Sequence, residues 1–214
     1  MIEAVIFDMD GVIADTMELH YEAERKTLEG AGAKFDLWKR KGLVGVPAKH
    51  FFESELKEQG IKVDANELLE NKYKAMNSLV KTIKPYKGVV ELISELEKNG
   101  FRLAVASASR KDFVVNLLRH LKVDGKFSAI IGFGDYEKGK PNPDAFLMAA
   151  EKLRVKPENC LVVEDAPLGV KAGKAAGMKV VAITNTYSRK ELAEADRVIS
   201  GFRELKIGEI RKMN

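Results

Sequence analysis

Short, uninterrupted apolar runs alternate with helical repeats from Phe101 onward, and that alternation leaves few folds open. Residues 102–107 (Arg-Leu-Ala-Val-Ala-Ser) have strand character, and residues 111–121 follow with Val114, Leu117, Leu118 and Leu121 at helical spacing. Residues 128–132 form a second apolar run. Asn142-Pro143 then offers a cap residue and a first-turn proline for a helix through Leu153. Residues 160–164 predict a strand, 169–176 a helix stopped by Gly177, 178–184 another strand and 197–200 a last short one, with 4–8 as the first of the chain. Strands that are apolar throughout, rather than on alternate positions, are buried on both faces. The pattern therefore predicts an α/β fold with a Rossmann-like parallel sheet covered by helices.

The stretch from about Thr16 to about Ile83 breaks this rhythm. It carries long amphipathic patterns, as in 19–28 and 68–79, and no convincing strand. It is expected to be an all-helical insert (16–83), with 1–15 and 84–214 forming the α/β core. Lys84-Pro85-Tyr86-Lys87-Gly88 marks the return to that core.

With 214 residues, the chain can bury one sizeable core and carry a smaller inserted unit. No apolar run is long enough to span a bilayer, and Val5-Ile6-Phe7 is too short for a signal peptide, so a soluble, cytoplasmic protein is expected, with no membrane partner. The single cysteine, Cys160, lies in an apolar run and is expected to be a packing residue. A net charge of +4 with Lys and Glu intermixed gives no basic groove, so no nucleic-acid partner is expected. No heptad seam marks an oligomer, and a monomer or small homo-oligomer is expected.

Several polar residues fall at the C-terminal ends of the expected strands. Asp8 and Asp10 end the first, Ser107 ends the 102–107 strand, and Glu164-Asp165 ends the 160–164 strand; Lys140 follows the 128–132 run. Ligands of open α/β sheets bind at this edge, where strand order reverses. Clustered carboxylates need a cation, and a few oxygen ligands with room for water and phosphate suit Mg²⁺. A carboxylate beside such a cation can attack phosphorus. Phosphoryl transfer then needs mainly positioning and charge neutralisation, which Lys140, the Ser107 hydroxyl and the main-chain N–H groups around Gly11 can supply. Taken singly, each residue has an ordinary structural explanation: a turn for Asp-x-Asp, a strand-end serine, a solvated lysine, or a helix cap for Glu164-Asp165.

Together, Phe7-Asp8-Met9-Asp10-Gly11-Val12, Ser107, Gly139-Lys140-Pro141-Asn142-Pro143-Asp144 and Val163-Glu164-Asp165-Ala166-Pro167-Leu168-Gly169 resemble the four motifs of the haloacid dehalogenase superfamily, in the right order along the chain. Asp15-Thr16-x-x-x-His20 is similar to the β-phosphoglucomutase and phosphoglycolate phosphatase group within it. The resemblance implies a helical cap over an α/β core and a Mg²⁺-dependent phosphatase acting on small phosphorylated metabolites. Asp8 is then the nucleophile and a metal ligand. Asp10 is the general acid/base and a metal ligand through its main-chain carbonyl. Asp165 is the main remaining ligand, and Glu164 assists at the metal. Ser107, Ala108 and Lys140 hold the transferring phosphoryl group.

The expected substrate reader is the loop 42–49. A mutase of this group would carry an arginine where Ala48 stands and a lysine near Leu69. Their absence favours hydrolysis over phosphosugar mutase activity. Lys49 follows Ala48 directly and can stand in for that arginine, whereas Lys72 lies one helical turn from Leu69. Arg110, just after Ser107-Ala108-Ser109, and His20, which can sense the closed lid or orient Asp10, are with Lys49 the candidate substrate contacts. His50, His120 and Lys138 are expected to be surface or packing residues. Two other readings are a receiver-type phospho-acceptor domain, which uses similar acids but no helical insert, and a metal-independent dehalogenase.

Overall fold

The computed structural model describes residues 1–43 and 46–213. The elements run β1 (Ala4–Phe7), α1 (Met17–Gly30), α2 (Leu37–Lys41), α3 (Ala48–Glu58), α4 (Ala65–Leu79), α5 (Val89–Lys98), β2 (Arg102–Arg110), α6 (Lys111–His120), β3 (Ala129–Phe133), α7 (Asp144–Leu153), β4 (Cys160–Glu164), α8 (Pro167–Ala175), β5 (Lys179–Ile183), β6 (Arg197–Ile199) and α9 (Ile207–Lys212). All six strands join one parallel sheet in the order β3-β2-β1-β4-β5-β6.

The uninterrupted apolar strands divide between two cores by their period of two. Val5, Phe7, Leu103, Val105, Leu161 and Val163 face one layer, with Leu92, Leu96, Phe113 and Leu117 of α5 and α6. Ala4, Ile6, Ala104, Cys160 and Val162 face the other, with Phe146 and Ala149 of α7 and Val170 of α8. Cys160 is fully buried, and burial pushes its thiol up to about 12, as suits an inert packing residue.

Between β1 and the return at Lys84 the chain makes α1 to α4, and residues 17–82 contain no strand among the described residues. The two crossings into this insert lie side by side: Asp15 N donates to Lys84 O at 3.2 Å and Tyr86 N to Ile13 O at 3.0 Å. Asp36 and Asp64 cap α2 and α4 by accepting from Trp38, Lys39 and Asn66 main-chain N–H groups. Phe51, Phe52, Tyr73 and Met76 of the insert join the first core layer. No helix of the described residues is long and apolar enough to cross a membrane.

Three details depart from the sequence reading. Strand β2 runs on to Arg110, with an irregularity in its pairing to β3 between Ala106 and Arg110. Helix α7 starts at Asp144; Asn142 gives its side-chain N–H to Gly139 O instead of capping the helix. Helices α5 and α9 lie outside the expected elements, although Val89, Leu92, Ile93 and Leu96 keep helical spacing.

Helix α6 crosses β3 closely at Gly132, where a Cβ would lie 2.6 Å from the Lys111 main-chain N and Cα. Backbone cannot yield as a side-chain tip can. Gly132→Ala should therefore cost about 1–3 kcal/mol in urea denaturation, whereas Gly208→Ala, with nothing within 4 Å, should change stability by less than about 1 kcal/mol.

Candidate active site

Strand order reverses at β1: β2 lies on one side and β4 on the other. Phe7 pairs with Val105 and Val163, so the residues after β1 emerge between the ends of both neighbours. Asp8 N donates to Val163 O at 2.9 Å, and the chain then turns as Ile13 N and Ala14 N donate to Met9 O. Gly11 takes φ +84°, and a Cβ there would meet Asp165 Oδ2 at 1.9 Å. This turn therefore requires glycine.

The Lys140 ammonium, 5% exposed, lies between two carboxylates. It donates to Asp8 Oδ1 at 2.6 Å and to Glu164 Oε1 at 2.5 Å. The other Glu164 oxygen accepts from Asp165 N at 2.7 Å and Ala166 N at 2.8 Å. Glu164 thus caps the approach to α8 and anchors the lysine at once. Gly169 leaves room for it, since a Cβ there would lie 1.7 Å from Oε1. Asp165 Oδ2 is buried with no hydrogen-bond partner among the described residues.

Asp8, Glu164 and Asp165 each bring an oxygen within 4.8 Å of the others. Burial pushes Asp8 up to about 8, with Lys140 opposing and Glu164 and Asp10 adding to the rise. Burial, then Glu164 and Asp8, hold Asp165 well above the carboxylate range. Carboxylates this crowded and dry, one of them with an unpartnered oxygen, fit a small hard cation better than they fit one another.

The Asp10 side chain turns away from this trio. Its Oδ1 accepts from Thr16 Oγ1 at 2.6 Å and lies 2.9 Å from His20 Nε2; its Oδ2 accepts from Ser107 Oγ at 3.1 Å and Ser109 Oγ at 2.8 Å. Burial raises Asp10, but His20, Thr16 and Ser109 outweigh it and hold the carboxyl below its usual range. Asp10's side chain therefore adds no oxygen to the carboxylate trio. Ser107 is fully buried on Asp10, while Ala108 and Ser109 line the cleft.

Arg110 and Lys49 are not among the cleft-lining residues. Arg110 pairs with Asp112 at 2.9 Å and with Glu70 of α4, and Lys49 lies 3.9 Å from Glu53 on its own helix. Within the expected reader loop, Val46 and Ala48 line the cleft, and Val44 and Gly45 fall outside the described residues. Lys72 corrects the sequence reading. It sits in the cleft wall, 1% exposed, with Nζ 3.0 Å from His20 Nδ1 and 2.7 Å from Glu24 Oε1. The insert does supply a lysine to the site, and its supposed absence no longer argues against a mutase.

Thr16, Ser109, Glu24, Arg40 and Lys72 were missed as site residues. For two of them a signal exists: Glu24 lies four positions after His20, and Lys72 three after Leu69. Each puts a charge on a buried helix face.

This arrangement has counterparts. The model for haloacid dehalogenase-like hydrolases matches residues 5–183. The chain belongs to this family. It is 34% identical to a β-phosphoglucomutase of Bacillus subtilis (85% of this chain, 83% of the relative) and 34% identical to a phosphorylated carbohydrates phosphatase of Thermotoga maritima (92% of each). Among solved structures it resembles a β-phosphoglucomutase from Clostridium difficile, with TM-score 0.88, 31% identity and coverage of 99% and 96%. It also resembles CbbY from Rhodobacter sphaeroides in complex with phosphate, with TM-score 0.87, 29% identity and 96% of each chain.

In this haloacid dehalogenase-like site, the raised acids set a pH dependence. An acid raised in the fold keeps its proton where the unfolded chain has lost it, so stability falls as pH climbs from the ordinary 3.8 toward the folded value. Asp10, which is lowered, adds stability already complete above its ordinary value. Chelator-treated protein should therefore melt lower at pH 8 than at pH 6. A millimolar divalent cation should raise the midpoint more at pH 8, as read by thermal scans with and without it.

Proposed function

We propose that the chain is a Mg²⁺-dependent phosphatase for small phosphorylated metabolites, sugar phosphates foremost, working through an aspartyl-phosphate on Asp8. The observation that carries this reading is the buried Asp8–Lys140–Glu164 array beside the unpartnered oxygen of Asp165. Asp8, Asp165 and the Asp10 main-chain carbonyl would hold Mg²⁺, with Glu164 fixing Lys140 and the chain beside them. When bound, the ion neutralises phosphoryl charge and relieves the repulsion between carboxylates.

Asp8 attacks phosphorus, and Lys140 steadies the nucleophile and the phosphoryl oxygens. Asp10, which its four donors hold as a carboxylate at rest, must first take up a proton; it then gives that proton to the departing oxygen and regains one from the attacking water. Ser107 and Ser109 hold the Asp10 carboxyl, and His20 and Thr16 support it from the start of the insert. The insert (16–83) acts as a lid over the core (1–15 and 84–214), hinged at the paired crossings, excluding bulk water and reading the leaving group. The T. maritima relative and a fructose-1-phosphate phosphatase of Escherichia coli, 32% identical, support a sugar phosphate substrate.

Lys72 favours a second reading, a phosphosugar mutase, since it places an insert cation beside His20, which itself contacts Asp10. Ala48, where such an enzyme would carry arginine, supports hydrolysis.

A panel of sugar phosphates with and without Mg²⁺ tests both. Free phosphate should appear with the metal, and Asp8→Asn should reduce it to the assay background. Conversion of β-glucose 1-phosphate to glucose 6-phosphate with a bisphosphate primer, without net phosphate release, would establish the mutase instead.

A further inference from the structure

Glu24 of α1 is fully buried and holds two cations at once. Arg40 reaches it through Nε (2.6 Å) and Nη2 (3.1 Å), and Lys72 through Nζ (2.7 Å). The same guanidinium donates to Leu43 O at 2.7 Å and lies 3.5 Å from Val46 O. Lys72 in turn touches His20 Nδ1, and His20 Nε2 touches Asp10 Oδ1. One run of polar contacts thus joins the substrate-reading loop to the proposed general acid.

The proton positions along it follow from what each group can do. An ammonium has N–H groups and no lone pair. A charged Lys72 can therefore only donate to Nδ1, which leaves the ring proton on Nε2, facing Asp10. The Glu24 carboxylate is the buried anion that faces the Lys72 ammonium. An amide in its place leaves that ammonium buried beside Arg40 with no counter-charge, an arrangement that favours the neutral amine. A neutral amine can accept from Nδ1–H, and Nε2 would then turn a lone pair toward the Asp10 carboxyl.

We propose that Glu24 is a positioning residue for proton transfer: by holding Lys72 as a donor it fixes His20 in the Nε2–H form that orients Asp10, and through Arg40 it ties that arrangement to the main-chain carbonyls of Leu43 and Val46. This rests on the phosphatase reading for its kinetic consequence, but not for the His20 tautomer.

The kinetic test uses two substrates. Fructose 1-phosphate has an alkoxide leaving group that needs a proton from Asp10, whereas p-nitrophenyl phosphate has one that departs without it. Glu24→Gln should lower kcat on fructose 1-phosphate by at least about 10-fold, the low end of what general acids contribute being about 100-fold. The aryl ester should change by less than about 3-fold, and Glu24→Asp, with the charge on a shorter arm, should fall between. Should Glu24→Gln fail to fold, Glu24→Asp is compared with the wild type in the same way.

The chain has three histidines, so the His20 ring nitrogens are assignable by ¹⁵N NMR. They should show the Nε2–H form in the wild type and lose it in the variant. Equal losses on both esters, or no loss, with the tautomer unchanged would overturn the proposal. A wild type inactive on both esters would remove the phosphatase reading, and the tautomer would still decide the role of Glu24.

Discussion

Lys140 places one ammonium between the Asp8 and Glu164 carboxylates, and the edge of the sheet is arranged around that bridge. Three buried acids at the ends of adjacent strands repel one another, and one lysine cannot balance them. Glu164 is therefore also held by two main-chain N–H groups, and Gly169 and Gly11 clear space for Glu164 and Asp165. The remaining deficit of positive charge, concentrated at Asp165, is what makes the place suited to a cation. The fold carries this cost at the switch point of the sheet, where main-chain groups from separate loops are available to share it.

The insert shows the opposite balance. Glu24 is shared by Lys72 and Arg40, so its buried cluster has more cations than anions. Asp10 lies where the two regions meet, tied to Thr16 and His20 on one side and to Ser107 and Ser109 on the other. Its side chain takes part in the polar network rather than in the carboxylate trio.

Legibility followed distance along the chain. The strands were readable because each is a local apolar run, and the acids because each lies just beyond one. Lys140 was placed at the right edge, though its choice of Asp8 and Glu164 as partners came only with the fold, 132 and 24 positions away. Arg110 and Lys49 were plausible phosphate contacts by proximity to Ser107 and Ala48. The structure gives Arg110 to Asp112 and Glu70 and leaves Lys49 beside Glu53, because side-chain direction rather than sequence position decides where a long side chain reaches. Lys72 lies one helical turn from the position the sequence points to, yet α4 presents it to His20 across 52 positions.

The sequence by itself determined the parallel α/β core, the helical insert after β1 and the set of acids at the sheet's edge. Each of these depends on periodicity or on a residue's place at the end of a run. Only the tertiary structure decided which charges share a carboxylate, which way Asp10 faces and which insert residues enter the cleft. Those outcomes depend on the packing of α1 against α4 and on the approach of the insert to β2. A buried charge takes as its partner whatever the fold brings within about 3 Å, and local pattern does not encode that.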